Sequence, residues 1–307
     1  MLMVFALTSA LLIGYLAQVT GLCLVRGVND LMQGRPLRIL AIVSSGFWLC
    51  AYLPLLDNTE IIRLMVRHEF HWTYLVGGLI FGLGAAVNGG CTISTVSRFS
   101  SGDLAMLFTM IGWLAGWILW ESSGFDFVPR TLGPAHPLLA WLPVIGLLLI
   151  TIIFYLKLSI HWALWNGVMF VGVISGALFS MQPEWPPSNF LHDLSLGMLH
   201  QSTADLPSIE RILITAMMLF GMNIGALYYK KFAWILVNLP VAAKHLGAGI
   251  MMGVGASLSL GGNDVQILLA VPAISPGGIT ALIGMVSGVW LGLLLTKFAT
   301  SRMAHTG

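Results

Sequence analysis

Charge is what this sequence has least of. Asp, Glu, Lys and Arg make up 8% of its 307 residues, where a soluble domain carries roughly 25%. That scarcity excludes water as the main solvent, and a net charge of +2 is too small to mark a nucleic-acid partner. Cysteine is sparse as well. Cys23, Cys50 and Cys91 are odd in number and lie in or beside apolar stretches, which argues against a disulfide framework. Catalytic signatures are missing: there is no His-Glu-x-x-His, no P-loop Gly-Lys-[Ser/Thr] and no Cys-x-x-Cys, and the eight histidines are scattered. Neither an enzyme nor a cofactor or metal site is expected, and transport driven directly by ATP would need that module on another chain. The N-terminal apolar stretch has no basic flank before Arg26, so it reads as a retained helix rather than a cleaved signal.

What is abundant is apolar length. The chain is 57% hydrophobic with a mean hydropathy of +0.90. Apolar runs at 3–25, 38–56, 72–88, 104–121, 137–156, 161–180, 211–229, 246–259 and 278–296 suit membrane-spanning helices. The expected fold is therefore an all-α polytopic membrane protein of about nine transmembrane helices, with 72–88 and 246–259 short and glycine-rich. With the N-terminus outside, Arg26, Arg35, Arg38, Arg98, Lys157, Lys230, Lys231, Lys244, Lys297 and Arg302 fall on the cytoplasmic side, and Arg63, Arg67, Arg130 and Arg211 outside. That bias predicts an outer N-terminus and a cytoplasmic C-terminus. The long 181–210 connection, with its prolines and acids, reads as an outer cap. The run 230–245 reads as lying along the inner interface or dipping partway in.

An internal repeat organises the runs. "GLGAAVNGGCTI" with its following "SSGD" turn parallels "GVGASLSLGGNDVQ" with its following "SPGG" turn. Each half has a Gly-Gly pair, a polar residue, a second glycine turn and a helix with spaced small residues. The expected organisation is a first repeat over 1–121, a linker helix within 122–160 and a second, inverted repeat over 161–307. Inverted repeats commonly place a transport site at their interface near the bilayer midplane, and non-helical backbone at that depth is tolerated where it lines protein or a cavity. Helix ends at such breaks offer backbone N–H groups to anions. Close packing through small residues is the alternative reading of the glycines, but it does not account for Gly89-Gly90-Cys91-Thr92.

Several side chains are singled out by this pattern. Cys91 offers a soft, polarizable contact and a weak S–H donor, suited to a sulfur-bearing anion while the thiol is neutral. Backbone amides at Gly89, Gly90 and Thr92, and at Gly261, Gly262 and Asn263, are expected to narrow the path. Asn263 occupies the second-repeat position that corresponds to Cys91. Arg98 either holds an anion at the inner mouth or snorkels to the interface, and Asp103 reads as a helix cap. Asp264 is an intramembrane acid and hence a functional candidate, although it would oppose an anion unless protonated or bonded to N–H groups; the alternative reading is a cap on the turn. Asn88 and Gln18 line a path or bridge helices, Gln266 follows Asp264 in the second break, and Cys50 reads as packing.

The stretches "GYLAQVTGLCLVRGVNDL", "GLIFGLGAAVNGGCTISTV" and "LGGNDVQILLAVPAISP" resemble the YeeE/YedE family of sulfur-compound transporters, whose best-understood members take up thiosulfate. The resemblance implies an hourglass-shaped inner-membrane protein with short re-entrant elements and a cysteine-lined centre. In that picture Cys91 matches the central cysteine and Cys23 the first-helix cysteine. It also implies a TusA-like cytoplasmic sulfur carrier as partner, with membrane lipid around the chain. The second-half cysteine of the thiosulfate pattern is absent, Asn263-Asp264 standing in its place, so a three-cysteine relay does not operate as such. Thiosulfate, another sulfur species or a selenium compound stay open as substrate. The function expected is uptake of a small sulfur-containing anion; the rival readings are a redox or sulfurtransferase component carrying a persulfide on Cys91, or a structural subunit.

Overall fold

A computed structural model of the chain describes residues 2–56, 65–125, 128–133, 141, 144–149, 151–152, 162–201 and 203–305. Helix dominates, as lipid demands, because a helix satisfies its own backbone polar groups. Seven helical stretches among the described residues are long and apolar enough to cross a membrane, and Ala105–Glu121 is a shorter apolar one. They fall on eight of the expected runs. The remaining run, 137–156, is helical at 144–149 and 151–152 and otherwise lies largely outside the described residues.

The helices are interrupted where the glycines predict, and once where they did not. α1 (Leu2–Thr20) stops at Gly21, whose φ of +63° is left-handed, and α2 (Leu24–Met32) begins after Cys23. The expected single helix 3–25 is therefore broken before its last turn. α3 (Leu37–Ser45) tightens into a 3-10 segment over Gly46–Leu55. α4 (Trp72–Asn88) closes on left-handed Gly89, φ +72°, and α5 (Thr92–Ser100) restarts after Cys91. α6 (Ala105–Glu121) and α7 (Trp162–Met181) follow.

Two expected connections differ. The 181–210 cap contains a helix, α8 (Pro187–His200), because Pro187 stands in its first turn, where a proline needs no N–H partner. After α9 (Ile209–Tyr228), α10 begins at Leu239 rather than 246, with the Asn238 side chain accepting from the Val241 amide at 3.1 Å. The run 230–245 is thus split: its first half is irregular and bonds through Ala233 and Ile235 to Ser101 and Gly102, at 3.0 Å each, and its second half is helix. The second break holds the one-turn α11 (Asn263–Val265) and a π-helical turn over Gln266–Ala270 before α12 (Pro276–His305). A two-residue clip, β1 (Arg67–His68) on β2 (Thr131–Leu132), holds two loops together on one face.

Glycine stripes bring the helices backbone to backbone. Gly78 and Gly82 on α4 lie against Ala281 and Met285 carbonyls of α12, whose Gly284 and Gly288 lie against Leu75 and Leu79 carbonyls in return. Gly112 and Gly116 on α6 meet α10 in the same reciprocal way, through Leu246, Ile250, Thr109 and Trp113 carbonyls. A β-carbon at any of these glycines would collide with backbone, so small residues are what permits the approach. α4 also packs on α10, and α1 on α9. These crossings bring both broken segments into the middle of the molecule.

Candidate functional site

Both suspected cysteines occupy the same local device. In Gly21-Leu22-Cys23 and Gly89-Gly90-Cys91, a left-handed glycine ends one helix and the cysteine, in extended conformation, stands just before a nine-residue helix. Neither side chain caps its helix, so both thiols are free to point elsewhere. They point toward each other's turn. The Leu24 amide donates to Cys91 Sγ at 3.3 Å, and the Cys23 thiol donates to Ser94 Oγ at 3.2 Å. Ser94 Oγ in turn donates to the Cys91 carbonyl at 3.1 Å and lies 3.6 Å from Cys91 Sγ. Each thiol is at least 98% buried.

The second break closes over this pair. Asn263 Oδ1 accepts from the Thr92 amide at 3.2 Å and from Thr92 Oγ1 at 2.8 Å, tying the two breaks directly. Asp264 Oδ2 accepts from the Ser188 amide at 3.1 Å, in the first turn of α8. Gln266 Nε2 donates to the Ser259 carbonyl at 2.6 Å and folds the break on itself. A small cavity of about 30 Å³ results, walled by Cys23, Cys91, Asn263 and Asp264 together with Ser175 and Trp185. Trp185 Nε1 and Ser175 Oγ make no hydrogen bond among the described residues and are buried. Both are donors in residues of the cavity wall.

One larger cavity adjoins this constriction, and another lies beside the second break. Cys23 and Leu22 line both the small cavity and a larger one of about 180 Å³, whose wall carries Arg26, Arg98 and Lys231 with Ser94, Ser97, Ser101 and Gln18. Gly261 reaches a third cavity of about 400 Å³, lined by Trp117, Trp120, Phe125, Glu121, Asn189 and His192. There the His192 ring stacks 4.1 Å from Trp117. Next to it, burial pushes the Asp193 carboxyl up, but His192 and Arg211 outweigh burial and hold it below the ordinary carboxylate range.

The family model described as sulphur transport matches the chain twice, over residues 19–164 and 131–291. The chain belongs to the sulphur transport family. It is accordingly a multi-pass membrane protein of a family that transports sulfur compounds. No curated protein matches it significantly.

In this sulphur transport protein the structure brings Cys23, Cys91, Thr92 and Asn263 together, and gives partners within the chain to three of the four glycine amides. The amides of Gly89 and Gly90 bond Ala86 and Ala85 carbonyls at 3.1 and 3.0 Å, and Gly261 bonds Ala256 at 2.8 Å. With Thr92 engaged by Asn263, these four amides are already satisfied, the glycine pair because left-handed Gly89, and Gly261 because left-handed Leu260, closes its helix on its own carbonyls. Gly90 and Gly262 also stand at close approaches: a β-carbon there would lie 2.7 Å from Ser94 Oγ and 2.6 Å from Asp264 Oδ1, respectively. Arg98 takes neither expected role alone. It pairs with Asp103 at 2.7 Å and donates to the Asn88 carbonyl at 3.1 Å, while its side chain borders the basic vestibule. Asp103 also accepts from the Ala105 amide at 3.1 Å, a capping contact at the start of α6. Cys50 donates to the Pro272 carbonyl at 3.7 Å, away from the cavity lining. Ser94, Ser175 and Trp185 were missed. Only tertiary packing brings Ser175 and Trp185 here, but Ser94 lies one helical turn past Cys91 and its spacing could have found it.

Proposed function

We propose that the chain imports a small sulfur-containing anion such as thiosulfate across a bacterial inner membrane, through the Cys91–Cys23 constriction. One observation carries this reading: Cys91, Asn263 and Cys23 line one buried cavity, and Cys23 also lines the basic vestibule next to it. Desolvating an anion is costly unless donors replace its water. Here the replacements are weak and successive, namely thiols, the Ser94 hydroxyl, Ser175 and the Trp185 N–H. Weak multi-site binding is what conduction requires. The three cations of the vestibule would then draw the anion onward, so that vestibule is assigned to the cytoplasmic side, with the N-terminus outside.

The α4–α12 and α6–α10 glycine crossings change places when the two halves are exchanged, which supports inverted repeats over 1–121 and 161–307 joined through 122–160. That the family model matches the chain twice suits two copies of one unit. At the inner mouth, the exposed basic rim is where a TusA-like carrier would receive the sulfur. The test is uptake of radiolabelled thiosulfate into cells lacking their own importers. Native chain should import it, Cys91→Ala should abolish import, and Cys23→Ala should reduce it at least tenfold, roughly the loss of one charge-assisted contact. Native protein that is well expressed yet imports nothing would retire thiosulfate as the substrate.

A further inference from the structure

We propose that Asp264 carries a proton through the constriction with each anion, so that import is proton-coupled. The proposal rests on the reading above, that the anion passes this cavity. Asp264 is 98% buried, and its two oxygens have different surroundings. Oδ2 accepts the Ser188 amide, whereas Oδ1 has no hydrogen bond among the described residues. The carboxyl belongs to the same cavity wall as the two thiols. Gly262 makes the room, since a β-carbon there would press on Oδ1 at 2.6 Å.

Among the described residues, nothing cationic faces this carboxyl. The other titratable groups of the cavity wall are Cys23 and Cys91. Of the elements packed on α11, the π-helical turn over Gln266–Ala270 has no titratable residue. On α8, His192 and Asp193 are engaged with Trp117 and Arg211, and His200 pairs with Asp205 at 3.0 Å. On α5, Arg98 is paired with Asp103. A dry carboxylate with no counter-cation is costly, and it would repel the anion. Protonated, the same group turns its unpartnered oxygen into an O–H donor in a residue of the cavity wall.

The cycle balances simply. A proton from outer water bonds to Oδ1, and the anion then accepts that O–H among its other contacts. When the anion leaves inward, the O–H bond breaks and the proton follows it into cytoplasmic water. The carboxylate, held by the Ser188 amide, is reset. One proton crosses per anion, and nothing is oxidised or reduced. If Asp264 only capped α8, an amide would serve as well, because Asp264→Asn keeps an oxygen for the Ser188 amide but carries no proton.

That difference is measurable in proteoliposomes holding the purified chain and an internal pH-sensitive dye, with the membrane potential clamped at zero and radiolabelled thiosulfate outside. The native chain should acidify the interior as thiosulfate enters, and accumulation should rise about tenfold per unit of inside-alkaline gradient, one proton's worth. Asp264→Asn should equilibrate thiosulfate without acidification, and Asp264→Glu should restore coupling. Thiosulfate uptake by the native chain that neither acidifies the interior nor responds to the gradient overturns the proposal and leaves the path standing. No uptake by folded native chain at any gradient overturns the path for thiosulfate and this proposal with it. Both overturning results come from the native chain, so a variant that fails to fold does not blunt the test.

Discussion

Asn88 shows how single residues hold the Cys91 turn. Its Nδ2 donates to the Gly90 carbonyl at 3.0 Å and to Thr95 Oγ1 at 2.8 Å. Its Oδ1 accepts from Thr109 Oγ1 at 2.7 Å and lies 2.8 Å from His245 Nδ1. All four positions of a carboxamide are therefore used, and the partners come from the turn, α5, α6 and α10. Asn88→Leu should strand several of them at a cost of about 1–3 kcal/mol for a buried group left unpaired, lowering the melting temperature in detergent and loosening the turn that places Cys91. Unchanged melting and unchanged uptake would show the network to be incidental. Thiol accessibility makes a second prediction at this scale. Cys23, Cys50 and Cys91 are all buried, so maleimide labelling of the native chain should be slow; rapid labelling of Cys91 would favour the persulfide reading instead. The sequence made Cys91 legible because a Gly-Gly-Cys break in an apolar run has few other uses. Trp185 and Ser175 were not legible, since a lone Trp or Ser in an apolar stretch shows nothing until packing leaves its donor without a partner.

At the scale of elements, glycine divides into two jobs that composition alone cannot separate. Gly21 and Gly89 have positive φ and end helices; Gly78, Gly112 and Gly249 lie inside helices, pressed on a neighbour's carbonyl. Helix positions were legible from apolar runs, but the stop at Gly21 was hidden because its flanks are as apolar as a continuous helix. α8 was hidden because prolines announce a helix start and a loop in the same letters. The packing role is testable within one helix. Gly249→Leu collides with the Thr109 carbonyl, backbone that cannot swing away, whereas a β-carbon at Gly247 meets nothing within 4 Å. Gly249→Leu should therefore abolish the monodisperse peak in size-exclusion chromatography, and Gly247→Leu should leave it; equal behaviour would refute a packing role for Gly249. α8 is fastened separately, by the Asp193–Arg211 ion pair. Asp193 has its folded-state value lowered, so its contribution is complete above the ordinary carboxylate range near about 4 and is lost as pH falls through the lower folded value. Asp193→Asn should flatten the melting temperature's decline in that acid window, and an unaltered decline would assign the acid sensitivity to other carboxylates.

Across the whole molecule the few charges sort into two groups, and the packing agrees with the grouping read from the chain. Arg26, Arg98 and Lys231 share one vestibule, and Ser101 and Gly102 bond the Ala233–Ile235 segment beside it. Glu121 and His192 share a different cavity, and Asp193 pairs with Arg211. Sorting of this kind is legible because each crossing helix moves the next loop to the other face, so one well-placed span constrains its neighbours. Which group faces the cytoplasm is a separate matter, and the basic excess assigns it by the positive-inside rule. The burial of all three native thiols makes the assignment testable without removing them. Ser122 and Lys230 are exposed and belong to opposite groups. In spheroplasts, a membrane-impermeant maleimide should label Ser122→Cys and spare Lys230→Cys until the membrane is permeabilised. The reverse pattern would put the basic vestibule outside. The cations would then gather the anion before the constriction instead of receiving it afterwards, and the same path would be built for export.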